Sequence, residues 1–160
     1  MGMMRLSLLL IDSWENLGDV RLTGGEIQGS ISTGERVRLF GSFSYVEATD
    51  LDTDKPVADI PPLNGDLSLR YSASIFSGEF GAHFAAKQDR LASNETETAA
   101  YAICNGSLGI NLERWLRMQS KLNLAVTNIL DAKYQSHLSR TKRWYFEPAR
   151  SISLTLTLEK

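Results

Sequence analysis

The chain has 160 residues, about one domain's worth. Its 17 Lys and Arg against 19 Asp and Glu give a formal charge of −2, which argues against a dedicated nucleic-acid binder, and the single cysteine, Cys104, excludes a disulfide framework or a multi-cysteine zinc site. Apolar residues at 42% exclude compositional disorder, and no run of about 18 apolar residues offers a membrane-spanning helix, although a membrane-spanning β-barrel needs none.

The chain opens on Arg5 and a short apolar stretch, residues 6–11, interrupted by Ser7. A secretory signal needs a longer apolar core and a small-residue cleavage site, and Asp12, Ser13 and Trp14 stand where that site belongs. The expectation is that Met1 lies inside or at the edge of a folded segment. The chain is then either cytosolic or a piece of a larger exported protein.

From there two-residue alternation dominates and helical periodicity is nearly absent. A first strand is expected over about 4–11 and a second over about 17–32. In the second, Val20 and Leu22 are in one register and Ile27 and Ile31 in the other, so a β-bulge is expected at Gly24-Gly25. Val37, Leu39, Gly41, Phe43 and Tyr45 then share a face, as do Leu67, Leu69, Tyr71, Ala73 and Ile75. The next sets are Phe80, Ala82, Phe84 and Ala86, and Leu108, Ile110 and Leu112. Leu122, Leu124 and Val126 follow, and Ile152, Leu154, Leu156 and Leu158 alternate with Ser151, Ser153, Thr155 and Thr157. The sum is eight strands.

Tight links at 33–34, 76–78 and 113–117 alternate with long ones at 48–62, 90–99 and 131–149. One end of the sheet is therefore trimmed and the other elaborated, as in outer-membrane barrels with short periplasmic turns and long extracellular loops. Alternation also fits a soluble barrel or sandwich, with the apolar face turned inward. Three features favour the inverted, membrane sense. No charged residue stands on the apolar face of the six clearest strands, where one costs about 2–4 kcal/mol at the bilayer midplane. The strands run to about 10 residues, against a usual ~5–6 in globular proteins. Tyr45, Phe76, Tyr101, Trp115 and Tyr134 gather near strand ends, as interfacial girdles require.

Three stretches carry a more specific signal: N-L-G-D-V-R-L-T-G-G-E-I-Q-G at 16–29, G-S-F-S-Y-V-E-A-T-D at 41–50 with I-P-P at 60–62, and V-T-N-I-L-D-A-K-Y-Q-S-H-L-S at 126–139. In this order and spacing they resemble the carboxy-terminal barrel region of TonB-dependent outer-membrane receptors, the third matching an Asn-Leu-Phe-Asp-x-x-Tyr element near the barrel's end. The resemblance implies an all-β, antiparallel transmembrane β-barrel segment of about eight strands, with residues 1–160 as the carboxy-terminal portion of a receptor barrel of about 22 strands. The family's plug domain, TonB-contacting segment and signal peptide have no counterpart in these residues. Such barrels usually end in an aromatic residue, whereas this chain ends Leu158-Glu159-Lys160.

The remaining chemistry is sparse. Asp50, Asp52 and Asp54 start like an EF-hand loop, but Lys55 and Pro61 stand where Gly and Glu are needed, so a solvated acidic loop is expected and no metal site. His83 falls on the polar face of a strand, as a lumen-lining group. Asn94-Glu95-Thr96 and Asn105-Gly106-Ser107 match the glycosylation triplet, which in a bacterial-type protein is expected to be chance. The basic-aromatic loop with His137, Arg140, Lys142, Arg143, Trp144 and Tyr145 has the composition to contact an anionic ligand such as a ferric siderophore, or alternatively faces lipopolysaccharide or solvent. No catalytic motif, carboxylate pair or cofactor fingerprint is present in the sequence.

The implied function is a part of an outer-membrane receptor that takes up a scarce nutrient (siderophore-iron, cobalamin or similar) and does not transport alone. Its partners are outer-membrane lipid and lipopolysaccharide, a small-molecule nutrient, and a TonB-type energy transducer reached only through the plug, with no nucleic acid. Two alternatives stay open: a small stand-alone outer-membrane barrel serving as anchor or adhesion surface, and a soluble lipocalin-like carrier.

Overall fold

The computed structural model describes residues 3–16 and 19–159. The expected Leu17 and Gly18 at the start of the second strand, and the terminal Met1 and Lys160, lie outside them. The strands are β1 (Met3–Asn16), β2 (Asp19–Thr33), β3 (Val37–Asp50), β4 (Lys55–Pro56), β5 (Asn64–Ser72), β6 (Phe76–Ala85), β7 (Tyr101–Asn111), β8 (Gln119–Thr127) and β9 (Ser151–Glu159). One short helix, α1 (Glu113–Leu116), lies between β7 and β8.

All pairs are antiparallel and follow chain order, β1-β2-β3-β5-β6-β7-β8-β9, with two-residue β4 clipped onto β3. The eight long strands are those read from alternation. Among the described residues β1 and β9 do not pair with each other, so the sheet is an open, partial barrel wall.

The register places the apolar residues on one face in continuous rows. Leu108 faces Leu124 and Leu124 faces Leu154; Ile31 faces Leu39 and Leu39 faces Leu69. This face is not a core. Leu124, Leu69 and Leu154 remain 38%, 47% and 68% exposed, and among the residues whose burial is described the buried hydrophobic side chains are Ala48 and Ala85. The hydrophobic effect within the chain leaves this apolar surface uncovered, the opposite of a soluble sandwich.

The opposite face carries the polar set. From β3 to β6, one cross-strand row reads Arg38, Arg70, Glu79 and another Ser42, Asp66, His83. His83 Nδ1 lies 2.9 Å from Asp66 Oδ1.

Three expectations are corrected. No bulge interrupts β2: its pairing with β1 and β3 runs without a break through Gly24-Gly25. The phase change is instead a change of surroundings. Ile27 and Ile31 lie in the exposed apolar rows beside Phe43 and Leu39, whereas Val20 and Leu22, on the other face, line a cavity with Ala48 of β3 and with Pro56, Val57 and Ile60 of the folded-back link. Glycine is required where the phase changes, since a Cβ on Gly24 would clash with the Tyr45 carbonyl oxygen and the Val46 backbone. Second, the expected turn at 76–78 lies at 73–75, closed by the Ala73 N–H donating to the Phe76 carbonyl at 2.7 Å, so Ala73 and Ile75 leave the strand. Third, Tyr101 and Tyr134 do not join an outer girdle. They stack on each other at 4.5 Å on the polar side, next to His83, while Tyr45, Phe76 and Trp115 are exposed near strand ends.

Candidate functional site

The links 34–36, 73–75 and 112–118 gather at one end of the wall, and the links 51–63, 86–100 and 128–150 at the other. Each long link is folded against the next rather than left loose. The first turns on Asp50, whose Oδ1 accepts the N–H groups of Asp52 and Thr53 at 2.9 and 3.1 Å; that carboxylate caps a turn. The second is pinned by the Gln88 and Thr98 backbones, which exchange N–H···O bonds of 3.0 and 3.2 Å.

The links meet at Glu95. Its Oε1 accepts from the Asp59 N–H of the first link at 2.9 Å, its Oε2 accepts from Ala92 N–H of its own link at 3.0 Å, and His137 Nε2 of the third link lies 3.3 Å from Oε1. The two side chains are almost fully buried, His137 at 1% and Glu95 at 9% exposure. His137 Nδ1 lies 3.1 Å from Thr98 Oγ1, and Lys142 Nζ donates to the His137 carbonyl at 2.7 Å. Burial, with the Lys142 charge beside it, lowers the His137 pKa below the usual histidine value. Burial opposes ionisation of Glu95, but the Ala92 and Asp59 N–H groups and the charges of His137 and Lys142 outweigh it, and its pKa is lowered.

The structure thus divides the six sequence-expected residues. His137 and Lys142 face into the cluster around Glu95. Arg140, Arg143, Trp144 and Tyr145 are exposed, Trp144 at 72% and Tyr145 at 69%. Arg143 also donates to the Asn94 carbonyl of the second link. Phe146, 61% exposed, extends the aromatic run and was not singled out by sequence. Glu95 and Thr98 were missed too. Glu95 sits in a polar stretch with Glu97, which pairs instead with exposed Lys87 at 3.2 Å, and nothing local separates the two glutamates.

The base of the third link is built by the 126–139 stretch. Asn128 adopts a left-handed φ of 50° and is 3% exposed. Its side chain accepts from Ala132 N–H at 2.9 Å and donates to the carbonyls of Ala132 and Pro148 at 2.9 and 3.3 Å. Asp131 Oδ1 accepts from Arg150 N–H at 2.9 Å, bringing the end of the link back to its start.

A family model described as TonB dependent receptor-like, beta-barrel matches residues 5–129, most of the chain. The chain belongs to this TonB-dependent receptor β-barrel family. Two solved structures share the receptor barrel's fold. One, titled copper transporter OprC, has a TM-score of 0.79 and 20% identity over 97% of this chain and 27% of that one. The other, the ferric citrate transporter FecA in its unliganded form, has a TM-score of 0.69 and 20% identity over 96% and 28%. The receptor-barrel chain thus spans a little over a quarter of either transporter. No curated protein matches it.

Proposed function

We propose that residues 1–160 form the carboxy-terminal part of the barrel of a TonB-dependent outer-membrane receptor, and that the rim of long links helps capture a scarce nutrient. The observation that carries this reading is the inverted sheet, with its uncharged apolar rows exposed and its polar rows on the other face. In hydrocarbon each such row is solvated rather than stranded. The apolar face rests on outer-membrane lipid, and the long links project outward near lipopolysaccharide.

At the rim, Arg140, Arg143, Trp144 and Tyr145 supply two guanidinium forks and two flat aromatic faces. They suit an anionic chelate such as a ferric siderophore, with the cations on its carboxylate or phenolate oxygens and the rings on its apolar parts. Uptake draws its energy from a TonB-type partner acting through a plug domain, so these residues contribute wall and rim and do not transport by themselves.

The test is cell fractionation together with a growth screen. The chain is expected in the outer-membrane fraction, with heat-modifiable gel migration. Disrupting its gene is expected to slow growth on one nutrient from a panel of ferric siderophores, ferric citrate, copper and cobalamin. Recovery as a monodisperse protein in buffer without detergent would favour the lipocalin-like carrier and overturn the membrane reading.

A further inference from the structure

We propose that the polar wall carries an anion-binding site near its turn end, formed by Arg5, Arg38 and Arg70 and taking a carboxylate or phosphate. It lies at the opposite end from the rim and does not depend on which nutrient the rim meets. The three arginines line one concavity of about 460 Å³, with Ser7, Gln28 and Ser68 among its polar walls.

The register explains why they converge. Arg38 on β3 stands directly across from Arg70 on β5, and Arg5 on β1 faces Ser30 on β2. Ser30 in turn faces Phe40, two residues along β3 from Arg38. Directly opposed residues hold their Cβ atoms about 4.5–5.5 Å apart, and like charges so placed repel. Arg70 is partly neutralised, its Nε and Nη2 donating to Glu79 Oε2 at 3.0 and 2.7 Å. Among the described residues Arg5 and Arg38 have no ion-pair partner. Glu26, the acid on the same face of β2, lies four residues along from Ser30, about 13 Å away and out of reach of an ion pair.

Three cations against one carboxylate leave the concavity with an excess of two positive charges. All three arginine side chains are exposed on the polar face, so the excess is open to an incoming anion. Guanidinium forks with serine hydroxyls between them match the geometry of an anion's oxygens, and Phe40 gives the bound group an apolar side. The same chemistry serves a free anion or an acidic side chain of a polypeptide lying against the wall, and the two are separable by experiment.

The test titrates the detergent-solubilised full chain, with its arginine Nε–H signals resolved by NMR, against inorganic phosphate and separately against a neutral-capped Gly-Glu repeat peptide. Saturable shifts at Arg5, Arg38 and Arg70 are expected with at least one probe. Saturation by phosphate assigns a free anion, and saturation by the peptide alone assigns a polypeptide carboxylate. Arg38→Gln is expected to weaken binding roughly tenfold or more, with Arg21→Gln as an unaffected control. Glu79→Gln is expected to tighten it several-fold by releasing Arg70, a gain that mere loss of folding cannot imitate. Absence of saturation with both probes, or unchanged affinity in both Arg38→Gln and Glu79→Gln, overturns the site.

Discussion

At the scale of single residues, Glu95 joins the long links. It accepts two backbone N–H groups and lies against His137, so removing it deletes both hydrogen bonds, each contributing about 0.5–1.5 kcal/mol, along with the His137 contact. That cost is local to the links, since Glu95 touches none of the long strands through these bonds. Glu95→Ala is therefore expected to speed limited trypsin cleavage after Arg90, Arg140 and Arg143 by about tenfold or more, while the wall survives. Unchanged cleavage rates at all three sites would show that the links are held by other contacts.

The same cluster sets a pH response. His137 has a lowered pKa, so its folded state favours the neutral ring; the stability this lends is present above the ordinary histidine pKa near 6.5 and is lost as pH falls below it toward the lowered value. Glu95, also lowered, lends stability above the ordinary carboxylate value of 4.5 that is lost only further into acid. Both act in one direction. Hydrogen-exchange protection of 92–98 and 135–142, corrected for intrinsic rates, is expected to fall in two steps as pH drops from 7 to well below the ordinary carboxylate value. His137→Gln, which cannot titrate, is expected to remove the first step and leave the second. His137 was legible as a loop residue but its role was not, because burial of a loop histidine depends on a partner 42 residues away.

Among elements, the strands were legible because alternation is written into each of them, and their boundaries were less so. Ala73 and Ile75 continue the alternation of β5, yet the ladder ends at Ser72↔Ser77, where the hairpin closes. Nothing in their side chains marks that point. β2 misled for a different reason: its two registers follow from two environments, exposed apolar rows for Ile27 and Ile31 and a covering link for Val20 and Leu22. A one-dimensional pattern records which face is apolar but not what covers it. The 126–139 stretch was the most specific signal, and its geometry accounts for that. Asn128 combines left-handed backbone with three side-chain bonds, a pairing that Asn tolerates and few residues match. Asn128→Ala is expected to cost about 2–4 kcal/mol from lost bonds and the left-handed conformation together. Asn128→Gly, which relieves the conformation but not the bonds, is expected to cost less. Denaturation midpoints of refolded protein in detergent compare the two, and an equal or larger loss for glycine would remove backbone conformation from the explanation.

For the whole molecule, the decisive quantity is which stripe of the wall meets hydrocarbon. Adjacent residues on β8 test it with everything else held constant. Leu124 is flanked by Leu108 and Leu154 in an exposed apolar row, while Asn123, one residue away, points to the polar face between Gly109 and Thr155. In a membrane wall Leu124→Arg places a charge in lipid near mid-strand, at about 2–4 kcal/mol, whereas Asn123→Arg adds one more cation to an already polar face at little cost. In a soluble sandwich Leu124→Arg is also damaging, but the damage appears in plain buffer and does not depend on bilayer thickness. Refolding into phosphatidylcholine vesicles of increasing acyl-chain length separates these cases. The penalty for Leu124→Arg is expected to appear only in vesicles and to grow as the bilayer thickens and the position moves deeper, because a shallow charge can reach the interface and a deep one cannot. Equal refolding of the two variants in every bilayer would mean that the exposed rows are covered by protein rather than lipid, and that the sheet faces a different partner from the one its register suggests.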